Sequence, residues 1–189
     1  MYKYLLVLSV CVCFFKHNVQ ADSIPTISNK DSFSFNVKIK AIDLSEDGIA
    51  GSTYNDEVFF FIYKQNGSFL PQLITAEFFR LDTTVRTKQL NIKTDAILET
   101  DTLTFILIEQ DTKKQIKGIE PVCRFYLNEI FANYQKNGIT KFQEYFDDDD
   151  VIGMYRVAGD KFNLHKPIIK KFESLNFFDW AVYKLEISK

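Results

Sequence analysis

Phe33-Ser34-Phe35-Asn36-Val37-Lys38-Ile39-Lys40-Ala41 alternates apolar and polar residues without a break. Side chains of a strand point to opposite faces in turn, so this stretch reads as a strand with one buried and one wet face. Val58-Phe59-Phe60-Phe61-Ile62-Tyr63 is different. It is continuously apolar, β-branched or aromatic, the pattern of a central strand covered on both faces. Leu103 to Ile108 predicts another strand, with Leu103, Phe105 and Leu107 on one face and Thr104, Ile106 and Ile108 on the other. Ile74–Leu81, Gln89–Lys93, Val151–Val157 and Trp180–Ile187 add four more, and Phe162–Lys171 is left unassigned. In the last strand Trp180, Val182, Lys184 and Glu186 oppose Ala181, Tyr183, Leu185 and Ile187.

Between these strands lie turn signals. Asn66-Gly67 suits a tight turn because both residues tolerate positive φ. Asn66-Gly67-Ser68 also satisfies the glycosylation pattern, a second reading of the same residues. Glu46 to Asn55 is a loop rich in glycine and small polar residues. One segment breaks the strand rhythm. Pro121 opens a helix at its first position, where no amide hydrogen is needed. Val122, Phe125, Tyr126, Ile130, Phe131 and Tyr134 then recur at helical spacing, and Asn137-Gly138 supplies a stop. The expected fold is an all-β antiparallel β-sandwich with one inserted amphipathic helix laying its aromatic stripe on a sheet.

The ends of the chain set its organisation. Met1-Tyr2-Lys3-Tyr4 is a short basic start, and Leu5 to Phe15 is apolar apart from Ser9. Val19-Gln20-Ala21 then offers small residues before Asp22. This is the layout of a secretory signal peptide over residues 1–21. The apolar run is too short to cross a hydrocarbon core of ~30 Å as a helix. Leu8-Ser9-Val10-Cys11 faintly resembles a lipid-attachment motif, but bulky Val10 argues against anchoring. Residues 22–32 read as a flexible lead-in and 33–189 as one domain. The expected location is outside the cytoplasm, periplasmic or extracellular.

Losing Lys3 and Lys16 with the leader takes the formal net charge from −2 to −4. A mildly acidic chain lacks the basic footprint of a nucleic-acid binder. Cys11 and Cys13 also leave, so Cys123 stands alone and no internal disulfide is available. The core must hold the fold, which 19 Phe and 9 Tyr make feasible. Cys123 sits among Val122, Phe125 and Tyr126 and reads as buried packing.

Two acidic groups flank the middle of the chain. Ala41-Ile42-Asp43-Leu44 runs into Asp47-Gly48 and then Asn55-Asp56-Glu57-Val58. Glu109-Gln110-Asp111 follows the strand that ends at Ile108, and Asp147-Asp148-Asp149-Asp150 precedes Val151-Ile152-Gly153. Carboxylates from remote positions, gathered on loops at one end of a sandwich, suit calcium, which takes six to eight oxygens at ~2.3–2.6 Å. The other reading of the same runs is a set of solvated acidic loops.

On these residues the chain resembles the C-two domain, the calcium-dependent phospholipid-binding β-sandwich of synaptotagmin-like proteins. Ala41-Ile42-Asp43-Leu44 matches that family's Ala-x-Asp-Leu strand end. Asn55-Asp56-Glu57-Val58 stands where its Asp-Pro-Tyr turn falls. Glu109 and Asp111 take the place of its Asp-x-Asp pair, and Asp150-Val151-Ile152-Gly153 that of its closing Asp-x-x-Gly. The resemblance implies calcium ligands at Asp47, Asp56, Glu109, Asp111 and Asp150. It also implies a membrane lipid or surface protein as partner, with Ile49, Ala50, Val151 or Ile152 near the loop tips.

Catalytic machinery is sparse. After leader removal His165 is the sole imidazole, and Lys166 and Pro167 beside it supply no carboxylate. No His/Cys pair has zinc-ligand spacing and no glycine-rich phosphate loop occurs. Three functions stand: a calcium-dependent binding module, a metal-free secreted interaction domain, and a cryptic hydrolase using paired carboxylates.

Overall fold

The computed structural model describes residues 32–43, 55–67, 69–109, 116–137, 150–173 and 182–189. The signal-peptide and lead-in expectations at residues 1–31 lie outside them.

Eight strands form two four-stranded antiparallel sheets stacked as a β-sandwich. They are β1 (Ser32–Asp43), β2 (Asn55–Asn66), β3 (Gln72–Asp82), β4 (Thr87–Asp95), β5 (Asp101–Glu109), β6 (Asp150–Ala158), β7 (Ile168–Glu173) and β8 (Val182–Ser188). The first sheet has the order β4-β1-β8-β7 and the second β3-β2-β5-β6. Phe162–Lys171, unassigned from sequence, holds the start of β7, which follows a 3-10 turn at Gly159–Lys161 and a short connection.

The alternation in β1 and β8 is satisfied by the space between the sheets. Phe35, Val37, Ile39, Tyr183, Leu185 and Ile187 are buried there. They meet Val58, Phe60, Ile62, Leu103, Phe105 and Leu107 from the second sheet. The outward residues of β2 and β5 build a second core. Phe59, Phe61, Tyr63, Ile106 and Ile108 pack under Ile119, Cys123, Leu127 and Ile130 of the helical segment. Tyr63 closes that layer by donating its hydroxyl to the Glu120 carbonyl at 3.2 Å.

The helical segment departs from expectation in three ways. It is a pair of helices, α1 (Ile116–Phe125) and α2 (Leu127–Asn137), and it starts before Pro121. Starting at Ile116 brings Ile119 and Cys123, four residues apart, onto the buried face. Pro121 lies in the helix interior with its ring exposed. The aromatic stripe does not dock as a unit either. Phe131 and Tyr134 pack against the sheet, whereas Phe125 is 70% exposed and Tyr126 39%. Those two rings pack edge-to-face on each other at 4.9 Å, at the junction of the helices. Cys123 and Leu127 take the sheet-facing places instead.

β6 carries a bulge. Leu107 pairs with Gly153 but Ile108 with Val151, so Ile152 is the extra residue and is buried between the sheets. Gly153 makes room for Phe172 of β7, whose ring occupies the place where a methyl would sit. Asn66-Gly67 forms the expected turn, with Gly67 at φ 56°. The Asn66 amide is engaged there, donating to Thr100 Oγ1 at 3.0 Å and Asp101 Oδ1 at 3.1 Å.

Candidate functional site

β1 ends at Asp43, β2 begins at Asn55, β5 ends at Glu109 and β6 begins at Asp150. Strands in these directions bring all four termini to the same end of the sandwich. The described ends of both acidic groups, Asp56, Glu109 and the Asp150 backbone, therefore lie at one rim. Register makes the convergence specific. Val58 pairs with Glu109, and Glu109 pairs with Asp150. Asp56 lies two residues before Val58 on the same strand. Neighbouring strands lie ~4.8 Å apart with a rise of ~3.4 Å per residue, so the Glu109 backbone lies about 5 Å from that of Asp150 and about 8 Å from that of Asp56, while Asp56 and Asp150, two strands apart, are about 12 Å from each other.

Alternation decides where the described side chains go. Asp56 shares a face with Val58, Phe60 and Ile62, and Glu109 with Leu103, Phe105 and Leu107. Both carboxylates therefore turn toward the space between the sheets, and both are buried. Asp56 accepts a hydrogen bond from the Tyr183 hydroxyl on β8. This bond joins the two sheets at the rim, between residues 127 apart in the chain. A buried carboxylate needs such donors, because desolvation without them is costly. Tyr183 was not among the candidate site residues of the sequence. Its place on the inward face of β8 was legible, and a buried phenol calls for a polar partner. Its pairing with Asp56 depends on the packing of one sheet on the other.

Asp47 and Asp111 lie outside the described residues, and of Asp150 only the backbone is described. Among the described residues, no three His, Cys, Asp or Glu side chains stand together in an arrangement that could hold a metal ion. Asp56 and Glu109 supply hard oxygen donors of the kind calcium takes, and they are neighbours at the rim. Ile49 and Ala50 are also outside the described residues. Val151 and Ile152 are buried in strand β6, so neither is a loop-tip residue.

Two further reactive side chains are described. His165 is exposed, with its backbone N–H donating to Asn163 Oδ1 at 3.0 Å. Cys123 is fully buried under α1, and burial pushes its thiol well above the ordinary range. A nucleophilic thiolate needs the opposite environment.

Two solved structures similar to this chain are C-two domains. The first such domain of a plant extended synaptotagmin aligns over 82% of this chain and 92% of its own, at 11% identity and a TM-score of 0.38. Another C-two domain aligns over 82% and 96%, at 9% identity and a TM-score of 0.35. No protein-family model and no curated protein matches the chain. No described helix is long and apolar enough to cross a membrane.

Proposed function

We propose that the chain is a secreted, non-catalytic binding module. Its acidic rim holds calcium through Asp47, Asp56, Glu109, Asp111 and Asp150, and it engages a membrane surface or a partner protein through the loops there. The observation that supports this reading is the pairing Val58–Glu109–Asp150 with Asp56 beside it, which draws two remote acidic segments to one end of the sandwich. A divalent cation would relieve the mutual repulsion of carboxylates gathered there. Export would remove residues 1–21 and leave Asp22 as the first residue, which N-terminal sequencing of the exported product checks.

The test is a calcium titration followed by thermal melting. Ligand at about 100 times its Kd stabilises by ~2.7 kcal/mol, or a Tm rise of roughly 5–10 °C for a chain of this size. The rise should vanish in the Asp111→Asn/Asp150→Asn double variant and be smaller with magnesium. An unmoved Tm at millimolar calcium would overturn the metal reading. The bond from Tyr183 to Asp56 favours one second reading, in which Asp56 is a structural strap between the sheets and the module binds its partner without metal.

A further inference from the structure

The outer face of the first sheet carries an arrangement that the rim does not explain. Lys40 of β1 pairs directly with Lys184 of β8, and Lys184 pairs directly with Lys171 of β7. Their neighbours Ala41, Leu185 and Phe172 are buried between the sheets, so the three lysines share the outward face. They form one row across three strands, spaced by about 4.8 Å per strand. Like charges directly opposite on a sheet are destabilising. A row of three is tolerated at a cost to the fold, in a chain whose formal charge is negative.

The next rows are polar in another way. Lys38 pairs with Gln89 on one side and Glu186 on the other. Asn36 pairs with Asn91 and with Ser188. Asn91 donates its amide to Asn36 Oδ1 at 3.0 Å. Two adjoining depressions follow this grid. One of about 490 Å³ is lined by Asn36, Lys38, Gln89, Asn91, Glu186 and Ser188. The other, about 120 Å³, lies over Lys38, Lys40, Lys184 and Glu186. Carboxylates answer part of the charge: Glu186 reaches Lys184 at 3.7 Å, and Glu173 pairs with Lys171. Around these rows four lysines, Lys38, Lys40, Lys171 and Lys184, against Glu173 and Glu186 leave a positive surplus.

We infer that this groove binds an acidic polysaccharide, with the Lys40–Lys184–Lys171 row taking its sulfate or carboxylate groups and the amide rows taking its hydroxyls. Ammonium groups supply donors for anions, while Asn, Gln and Ser both donate and accept, as sugar hydroxyls require. Exposed Ile169, opposite Glu186, offers an apolar surface for the face of a sugar ring. The recess favours a chain that can enter it over a flat bilayer, which would touch the lysine tips and miss the amide rows. This groove is separate from the acidic rim, so the inference does not depend on calcium.

The experiment uses the mature chain from Asp22 and fluorescein-labelled heparin as probe, at about 50 mM salt without calcium. Binding should weaken tenfold or more in Lys40→Gln/Lys171→Gln/Lys184→Gln. An equal-charge control, Lys136→Gln/Lys161→Gln/Lys189→Gln, should change it less than threefold. Asn36→Ala/Asn91→Ala should weaken heparin binding while leaving a simple polyphosphate unaffected. The row variant should keep its Tm within about 3 °C of the unmodified chain, because it relieves opposed charges and removes the two lysine–glutamate pairs together. That shows the loss of binding is not unfolding. Three results would each overturn the proposal: no heparin binding by the unmodified chain, equal losses in row and control variants, or tighter row-dependent binding to phosphatidylserine vesicles or duplex DNA than to heparin.

Discussion

The two sheets solve the same problem differently. In the first, β1 and β8 alternate strictly, and their outward residues are half-buried or exposed. In the second, β2 and β5 are apolar on both faces, because the outward face is roofed by α1 and α2. The second sheet therefore sits at the middle of a three-layer stack, and the first forms its outer wall. A strand's sequence period reports how many of its faces are covered, and here it separates the two sheets residue by residue.

The contrast can be broken most forcefully at the layer both sheets share. Phe105 lies between them, with ring contacts to Phe35, Phe60, Tyr155 and Phe162. Phe105→Ala should cost about 3–5 kcal/mol in urea unfolding. The helical roof comes next. Ile130→Ala should cost about 2–5 kcal/mol if α2 is an integral layer. A loss under ~0.5 kcal/mol would mean the roof is ornamental and the second sheet stands without it. Gly153→Ala forces a methyl into the Phe172 ring and should cost about 1–3 kcal/mol. Phe172→Leu in the same chain should recover part of that loss, a coupling that a double-mutant cycle measures.

The smallest effect lies where β3 of one sheet passes into β4 of the other. Asp82 Oδ1 accepts from the Thr84 and Val85 amides at 2.7 and 2.6 Å and from Thr84 Oγ1 at 2.6 Å. The Thr84 hydroxyl and these amides hold the Asp82 carboxyl below the usual carboxylate range. A carboxyl lowered in the folded state contributes stability above its unfolded pKa and loses it as pH falls through the folded value. Thr84→Val should move the Asp82 midpoint upward in an NMR titration. An unmoved midpoint would show that the backbone amides alone set it.

Most of the fold was legible because burial leaves a period in the sequence. Leu103 to Ile108 split between two cores as its alternation required. The helical segment was less legible. Pro121 costs least at the first turn, so sequence reading begins the helix there. Burial of Ile119 and Cys123 moves the start to Ile116 and leaves the proline inside. Phe125 and Tyr126 have helical spacing from Val122 and Ile130, but the buried stripe is phased on Ile119, Cys123, Leu127 and Ile130, which leaves both rings outside it. For the rim, the sequence identified the acidic residues but not the pairings that bring Asp56, Glu109 and Asp150 together. Strand neighbours in a sandwich are set by long-range register, which no local pattern records. The lysine row was hidden for the same reason. Lys40, Lys171 and Lys184 are unremarkable in sequence and adjacent only across strands.

Cys123 gives the roof a built-in reporter. It is buried beneath α1 with Tyr63 below it, and a chain beginning at Asp22 carries no other thiol. A modifying reagent reaches that sulfur only when the helices lift from the β2–β5 surface. The labelling rate of the unaltered chain therefore measures how often the third layer opens on its own. If that rate exceeds the rate set by global unfolding, the roof is a separately opening unit, detachable while the two sheets remain stacked.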